Sequence, residues 1–334
     1  MYITEKDGMQ VLRVSRGNFR FRAILITVLF GIPTAGMAEA ASDESPAEPR
    51  PVISLDQIAL ELSNPVTALR SLAWDIEGTF FQGNLPDADG RSAMKNLFTP
   101  SWPFKLRNGN NILLRLTIPL NSDQPLWEHS IYLHHAEWRM RQIEDAAFER
   151  GFLARGHDHL DDISVDIGYG GVSDNGRIGM LGLSIVFPSN DDGTAERDQV
   201  LLGPEFVFGK VASWGLIGAR VKHLTNVYDA DVRNWVELPW DTNETTAKIF
   251  FAYAMGNGWK IESNPTILYD WEAVSGNEWT VPIGAGVSKT MRLGRVPVKL
   301  ALDIQKFVVS PDRFGPDWQV TVSLTPVFST KLLQ

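Results

Sequence analysis

The chain has 334 residues, with 31 Lys or Arg, 40 Asp or Glu, no Cys and a formal charge of -9. At 44% apolar and 21% charged residues it is neither a disordered chain nor a disulfide-stapled one. The acidic balance argues against a nucleic-acid partner, and no run of 18 or more apolar residues follows Met37, so no transmembrane helix is expected.

The first forty residues have their own pattern. Val11 to Arg22 is basic, Ala23 to Met37 is apolar, and Ala38, Glu39 and Ala40 place small residues at the two cleavage-determining positions. This predicts a secretory signal over residues 1–40, cut before Ala41, with Met9 as an alternative start. The apolar run, roughly 15 residues, falls short of the ~20 that a spanning helix needs, and an uncleaved anchor is the alternative. Cleavage would remove five basic and three acidic residues and leave a charge of about -11. An export signal on a Cys-free chain suits a bacterial envelope, where an oxidising periplasm would pair stray thiols.

Residues 41–67 read as a polar, Pro-containing linker followed by a short amphipathic helix. Leu55, Ile58, Ala59 and Leu62 stand at helical spacing, and Asn64 and Pro65 stop the pattern. From Ala68 the period changes to two and stays so to Phe328, which predicts an all-β, transmembrane, antiparallel up-and-down barrel of about twelve strands. Gly258 to Ala273 shows it best, with Trp259, Ile261, Ile267, Tyr269 and Trp271 on one parity and Lys260, Glu262, Asp270 and Glu272 on the other. Six long connections alternate with five short ones, as extracellular loops alternate with periplasmic turns in such a barrel. The second long connection, around 126–155, reads as helical. Residues 329–334 form a tail. Pro119, Pro265 and Pro282 fall inside apparent strands, where each removes a ladder donor, so bulges are expected there.

Alternation alone does not say which face meets lipid. Trp259, Tyr269, Trp271, Trp279, Trp318 and Phe328 sit near strand ends on the apolar parity, where an interfacial girdle lies. The opposite parity carries charge, and Arg or Lys at the lipid midplane would cost roughly 2–4 kcal/mol each. The lumen-lining candidates are therefore Asp75, Glu77, Arg115, Arg220, Lys260, Glu262, Asp270, Glu272, Lys289, Lys299 and Asp303, with Asp162 and Asp166 beside them. Twelve strands spaced by ~4.8 Å give a backbone cylinder roughly 24 Å across, which leaves at most a narrow channel. The helix at Ser54 to Leu62 could plug that channel or lie on the membrane surface.

Several stretches carry a resemblance: Ser63 to Leu69, Leu114 to Leu120, Gly256 to Ala273, Trp279 to Lys289 and Ser310 to Phe328. Through them the chain resembles a family of uncharacterised bacterial outer-membrane barrel proteins labelled transporters and sometimes, by mistaken transfer, neuromedin U. The resemblance implies a barrel in the outer membrane, with outer-membrane lipids, the barrel-assembly machinery and small solutes as partners. It implies no cofactor and no catalytic residue. The chain departs from the family in the longer segment from Leu126 to Arg155. It departs again in the six residues after Phe328, where many barrels end on an aromatic.

Enzyme chemistry finds little support. Five of the six His lie in the second long connection, and "GHDHLDD" (Gly156 to Asp162) mixes imidazoles with carboxylates but matches no closed metal-ligand spacing. His223 is the strand-borne His, Ser213 is far along the same strand, and no GxSxG motif occurs. The sequence thus points to a porin-like pore or transporter for small polar or amphipathic solutes, without cofactor or metal. The alternatives are a non-conducting structural or adhesin-like barrel acting through its long loops, and a lipid hydrolase.

Overall fold

A computed structural model describes residues 2–6, 9–13, 54–85, 88–122, 126–127, 153–154, 159–189, 199–229 and 241–328. Met1–Arg50 and Pro51–Gln334 are separate units. In the first, Tyr2–Lys6 pairs antiparallel with Met9–Arg13. The apolar stretch from Ala23, the cleavage site before Ala41, the linker 41–50 and the tail 329–334 lie outside the described residues.

The second unit begins with α1, Leu55–Glu61. Ser54 and Gln57 close a capping box: the Ser54 Oγ accepts from the Gln57 N–H at 3.1 Å, and the Gln57 Oε1 accepts from the Ser54 N–H at 3.0 Å. Seven residues are too few for a helix to persist alone, so packing must hold it. Ile58 meets Leu62, Leu69 and Val327 in a small apolar cluster.

Twelve strands follow. They are β1 (Ser71–Gln82), β2 (Ser92–Lys105), β3 (Asn111–Ser122), β4 (Ile163–Val172), β5 (Arg177–Phe187), β6 (Gln199–Ala212), β7 (Gly215–Asp229), β8 (Asn243–Gly256), β9 (Trp259–Ser263 and Thr266–Asp270), β10 (Trp279–Leu293), β11 (Val296–Val309) and β12 (Gly315–Pro326). Each pairs antiparallel with its neighbour in the chain, and β12 returns to β1, with Thr321 opposite Glu77. The sheet therefore closes and has no free edge. Short turns at 106–110, 173–176, 213–214, 257–258 and 294–295 gather at one end, and the longer connections gather at the other.

The turns have the chemistry their geometry requires. Asn257 and Gly258 join β8 to β9 with φ of 54° and 77°, the two positive values of a type I′ hairpin turn. The prolines sit at faults in the ladder. Pro265 divides β9, and its carbonyl accepts from the Ile249 N–H at 2.9 Å. Pro282 lies at a register shift against β11. At Pro119 the pairing of β3 with β4 stops after Thr117, and the Pro119 carbonyl accepts from the Asp161 N–H at 3.0 Å.

Burial alternates along the strands in the sense expected for lipid outside. Leu181 is 59% exposed, Ile283 57% and Phe208 56%, while Met180, Val207 and Ser288 on the opposite parity are buried. Apolar side chains thus face outward through most of the wall. The second long connection differs from the expected helix at its ends, where Leu126–Trp127 pairs with Leu153–Ala154 as a short antiparallel ladder. Residues 128–152 between them lie outside the described residues, as do His129, His134, His135 and His157.

Candidate functional site: the lumen and the segment across it

The inward parity brings two charged groups of opposite character together. On one wall, Arg115 (β3), Asp166 (β4), Glu205 (β6), and Arg220 and Lys222 (β7) form a connected cluster. Asp166 accepts from Lys222 Nζ at 2.7 Å and from Ser184 Oγ at 2.7 Å, and lies 3.6 Å from Arg115 and 3.8 Å from Arg220. Glu205 is fully buried, 3.8 Å from both Arg115 and Arg220, and neither carboxylate oxygen has a direct hydrogen bond. Gly182 stands between Ile167 and Glu205, and its missing side chain leaves room for these long groups.

The opposite wall is acidic. Asp75 and Glu77 (β1) and Asp303 (β11) face inward, with Gln319 donating to Glu77 at 3.2 Å and Gln305 to Asp303 at 2.7 Å. Lys248 (β8) lies within electrostatic reach of Asp75 and Glu77 as well as of Arg115 and Arg220, so it links the two walls. Alternation around Phe206 and Phe208 would have found Glu205, and alternation around Arg220 would have found Lys222. Lys248 and Lys95 needed a face assignment that their mixed-polarity strands do not give.

The third group binds the N-terminal segment. Lys260, 0% exposed, donates to the Ala59 carbonyl at 2.7 Å and to Ser63 Oγ, and stands 3.4 Å from Glu262. Lys299 completes the set at 2.8 Å from Glu262. Farther along the segment, Arg115 donates to the Pro65 carbonyl at 3.0 Å and Asn111 to the Val66 carbonyl at 3.4 Å. The side chain of Val66 is packed among Leu113, Ile178, Val207, Leu216 and Phe250. These partners come from inward positions of β3, β5, β6, β7 and β8. Residues 54–69 therefore lie inside the barrel near the short turns, which decides between the two placements left open for the helix. The segment also takes a bond from the wall at Gly258, whose N–H donates to Asp56.

Two of the expected lumen residues stand elsewhere. Lys289 pairs with Trp259 and places its ammonium 4.9 Å from that ring's centroid, on the outer face at the short-turn rim. It shares parity with the outward Val287 while Ser288 and Thr290 point inward, so alternation itself puts it outside. Glu272 lies beyond the end of β9 and accepts from Asn243 at 3.5 Å in the exposed connection. Asp270 pairs with Glu244 at the long-loop mouth.

The aromatics mark both ends. Tyr269 packs edge-on against Trp271 and Trp279, each at 4.7 Å between centroids, and Lys306 lies 5.1 Å from the Trp318 ring. Trp259 and Phe328 are exposed at the short-turn end. On the outer face His223 Nδ1 is 2.9 Å from Thr245 Oγ1, which also accepts from Trp271 Nε1 at 3.0 Å; its ring thus bonds a threonine. In the connection between β3 and β4, burial pushes the Asp161 carboxyl up. Lys95 at 2.8 Å and hydrogen bonds from the Asp162 N–H and Asn121 outweigh that and hold it below the usual carboxylate range. Among the described residues no three His or carboxylate groups converge as metal ligands.

A closed barrel of even strand number, apolar outside, aromatic at its ends and charged within, defines a transmembrane β-barrel of the outer-membrane type. No family model and no curated protein matches the chain. Among solved structures it is similar to the NanC porin, at 11% identity over 77% of this chain and 99% of that one, with a TM-score of 0.43. It is similar also to the outer membrane phospholipase A of Escherichia coli (11%, 78% and 97%, TM-score 0.38) and to a variant of the TodX monoaromatic hydrocarbon channel (11%, 80% and 93%, TM-score 0.39). The fold stands on the closed strand ladder itself.

Proposed function

We propose that the chain is an exported outer-membrane pore for small polar solutes, with its short turns in the periplasm and its own residues 54–69 closing the periplasmic mouth in this conformation. One observation carries the reading: an interior lined from opposite walls by unlike charges, with Lys248 exposed between them. A barrel that served only as a scaffold could fill this space with apolar side chains, which would avoid the desolvation that buried ions cost. The docked segment favours a second reading, a permanently closed barrel that acts through its long loops. Conductance of the purified protein in a planar bilayer separates the two. Discrete steps that become more frequent when residues 41–66 are deleted support the pore. No conductance above background from either form, both shown folded by heat-modifiable gel mobility, supports the closed barrel.

A further inference from the structure

The outer wall is interrupted at one place near the short turns. Gly171 on β4 pairs with Gly179 on β5, and both have outward parity. In the same row Phe208 (β6) is opposite Gly179 on one side, while Asn110 lies over Gly171 on the other. A Cβ placed on Gly179 would meet nothing within 4 Å. The missing side chains leave a groove of about 370 Å³ between Tyr169 and Leu181, open to the outside. Because Asn110 covers Gly171 itself, the opening over Gly179 is two strand spacings wide, roughly 10 Å of backbone between Phe208 and the Asn110 side chain, which is room for one acyl chain.

Above the groove, toward the short turns, two cations are adjacent. Arg177 pairs with Lys210 across β5 and β6, and both are exposed on the outward parity. Neither forms an ion pair with a described residue, and Asp174 in the adjoining turn is exposed. Beside them the Tyr169 hydroxyl accepts from Asn108 and Asn110 at 2.8 Å each, so the ring is pinned at the depth where interfacial aromatics sit. Arg107, Lys289, Arg292 and Arg295 add positive charge at this same end. The other end is mixed, with Asp161, Asp241, Glu278 and Asp312 beside Arg91, Lys95, Lys306 and Arg313.

We propose that this groove is a binding site for one anionic phospholipid, its phosphate held by Arg177 and Lys210 and one acyl chain lying over Gly179 beside Tyr169 and Leu181. A phosphate met by two adjacent cations makes charge-assisted hydrogen bonds, and the low-dielectric side of the interface strengthens them. A neutral-headgroup lipid carries its own ammonium and loses most of this gain. The site depends on the barrel residing in a membrane and not on whether its lumen conducts.

The test is native mass spectrometry of the full-length folded barrel, exchanged into micelles that contain phosphatidylglycerol and phosphatidylcholine in equal amounts. The wild type is expected to retain one phosphatidylglycerol at least fivefold over phosphatidylcholine. The Arg177→Gln/Lys210→Gln pair is expected to reduce that preference to near unity. Gly179→Leu fills the groove with the cations intact and is expected to lower retention of phosphatidylglycerol at least threefold. Arg107→Gln, at the same rim but outside the groove, should leave retention unchanged. Equal retention of the two lipids by the wild type, or retention that neither the charge pair nor the groove-filling variant alters, would overturn the site. Heat-modifiable mobility establishes that each variant is folded, and conductance of the same samples is read independently.

Discussion

Lys260 Nζ donates to the Ala59 carbonyl at 2.7 Å, so a wall residue with no exposure is tied to a helix that is not part of the wall. Its charge is shared with Glu262, itself paired with Lys299. The segment thus supplies part of the solvation that this ammonium gave up on entering the barrel. Removing the ammonium should therefore loosen the segment more than it loosens the strands.

Lys260→Met retains the length of the side chain and deletes the donor. A hydrogen bond from a charged group contributes about 1.5–3 kcal/mol, so docking of residues 54–69 should weaken roughly 10- to 100-fold. The expected outcome is faster cleavage near residue 54 by a protease added to the purified barrel, with barrel mobility on gels unchanged. Cleavage at the wild-type rate would show that the segment is held by Val66 and its apolar neighbours instead.

Glu205 is the anion between Arg115 and Arg220. Breaking a buried ion pair by deleting one partner costs about 3–5 kcal/mol, because the remaining charges are left uncompensated. Glu205→Ala should lower the urea midpoint of the refolded barrel markedly. Glu205→Leu together with Arg220→Met, which removes charges of both signs, should recover a large part of the loss. A single variant with an unchanged midpoint would mean that water already screens this cluster.

The Asp161 carboxyl titrates below its value in the unfolded chain, so its contribution to stability is present above that value and is lost as pH falls through the folded one. Its pair with Lys95 should therefore stabilise the barrel evenly from neutral pH down to near pH 4 and fade below it. For a partly exposed pair the effect is about 1 kcal/mol. Unfolding midpoints of the wild type and Asp161→Asn should differ by a constant amount at pH 5–8 and converge once pH has fallen below the folded carboxyl's lowered value. A gap that widens on acidification contradicts the assignment.

If solute passes between the two charged walls, the acidic one favours cations. Asp75→Asn/Glu77→Gln, on a background with residues 41–66 deleted, should shift the reversal potential in a salt gradient toward anions. Arg220→Gln should shift it the opposite way. Identical reversal potentials in all three would place the ion path elsewhere.

Alternation in the chain made most of the wall readable, because lipid outside and charge inside impose the same period of two on every strand. Trp259, Ile261, Ile267 and Tyr269 followed it across Pro265, and the ladder faults at Pro119 and Pro282 could be expected from the missing N–H of each. The site was less legible. Val66 reads locally as an unremarkable Val after a Pro, and its burial among inward residues of five strands is a tertiary fact with no local signal. Lys289 could have been placed by its neighbour Val287, but a lone cation next to a run of outward apolar residues invites an inward assignment. Glu205 stands in plain alternation with Phe206 and Phe208, whereas Lys248 is a single cation in a strand of mixed polarity, where the faces separate only when its partners across the ladder are known.

Residues 67–70 are all that lie between Val66 and the first residue of β1. The segment in the lumen is therefore a ligand covalently joined to its own receptor through four residues, of which Thr67 and Leu69 are buried with it, and a connection that short sets a local concentration on the order of millimolar or above. A soluble molecule competing for the Lys260 and Arg115 contacts would need to exceed that concentration to displace it. If the segment leaves the lumen, the shortness of this connection sets how soon it rebinds.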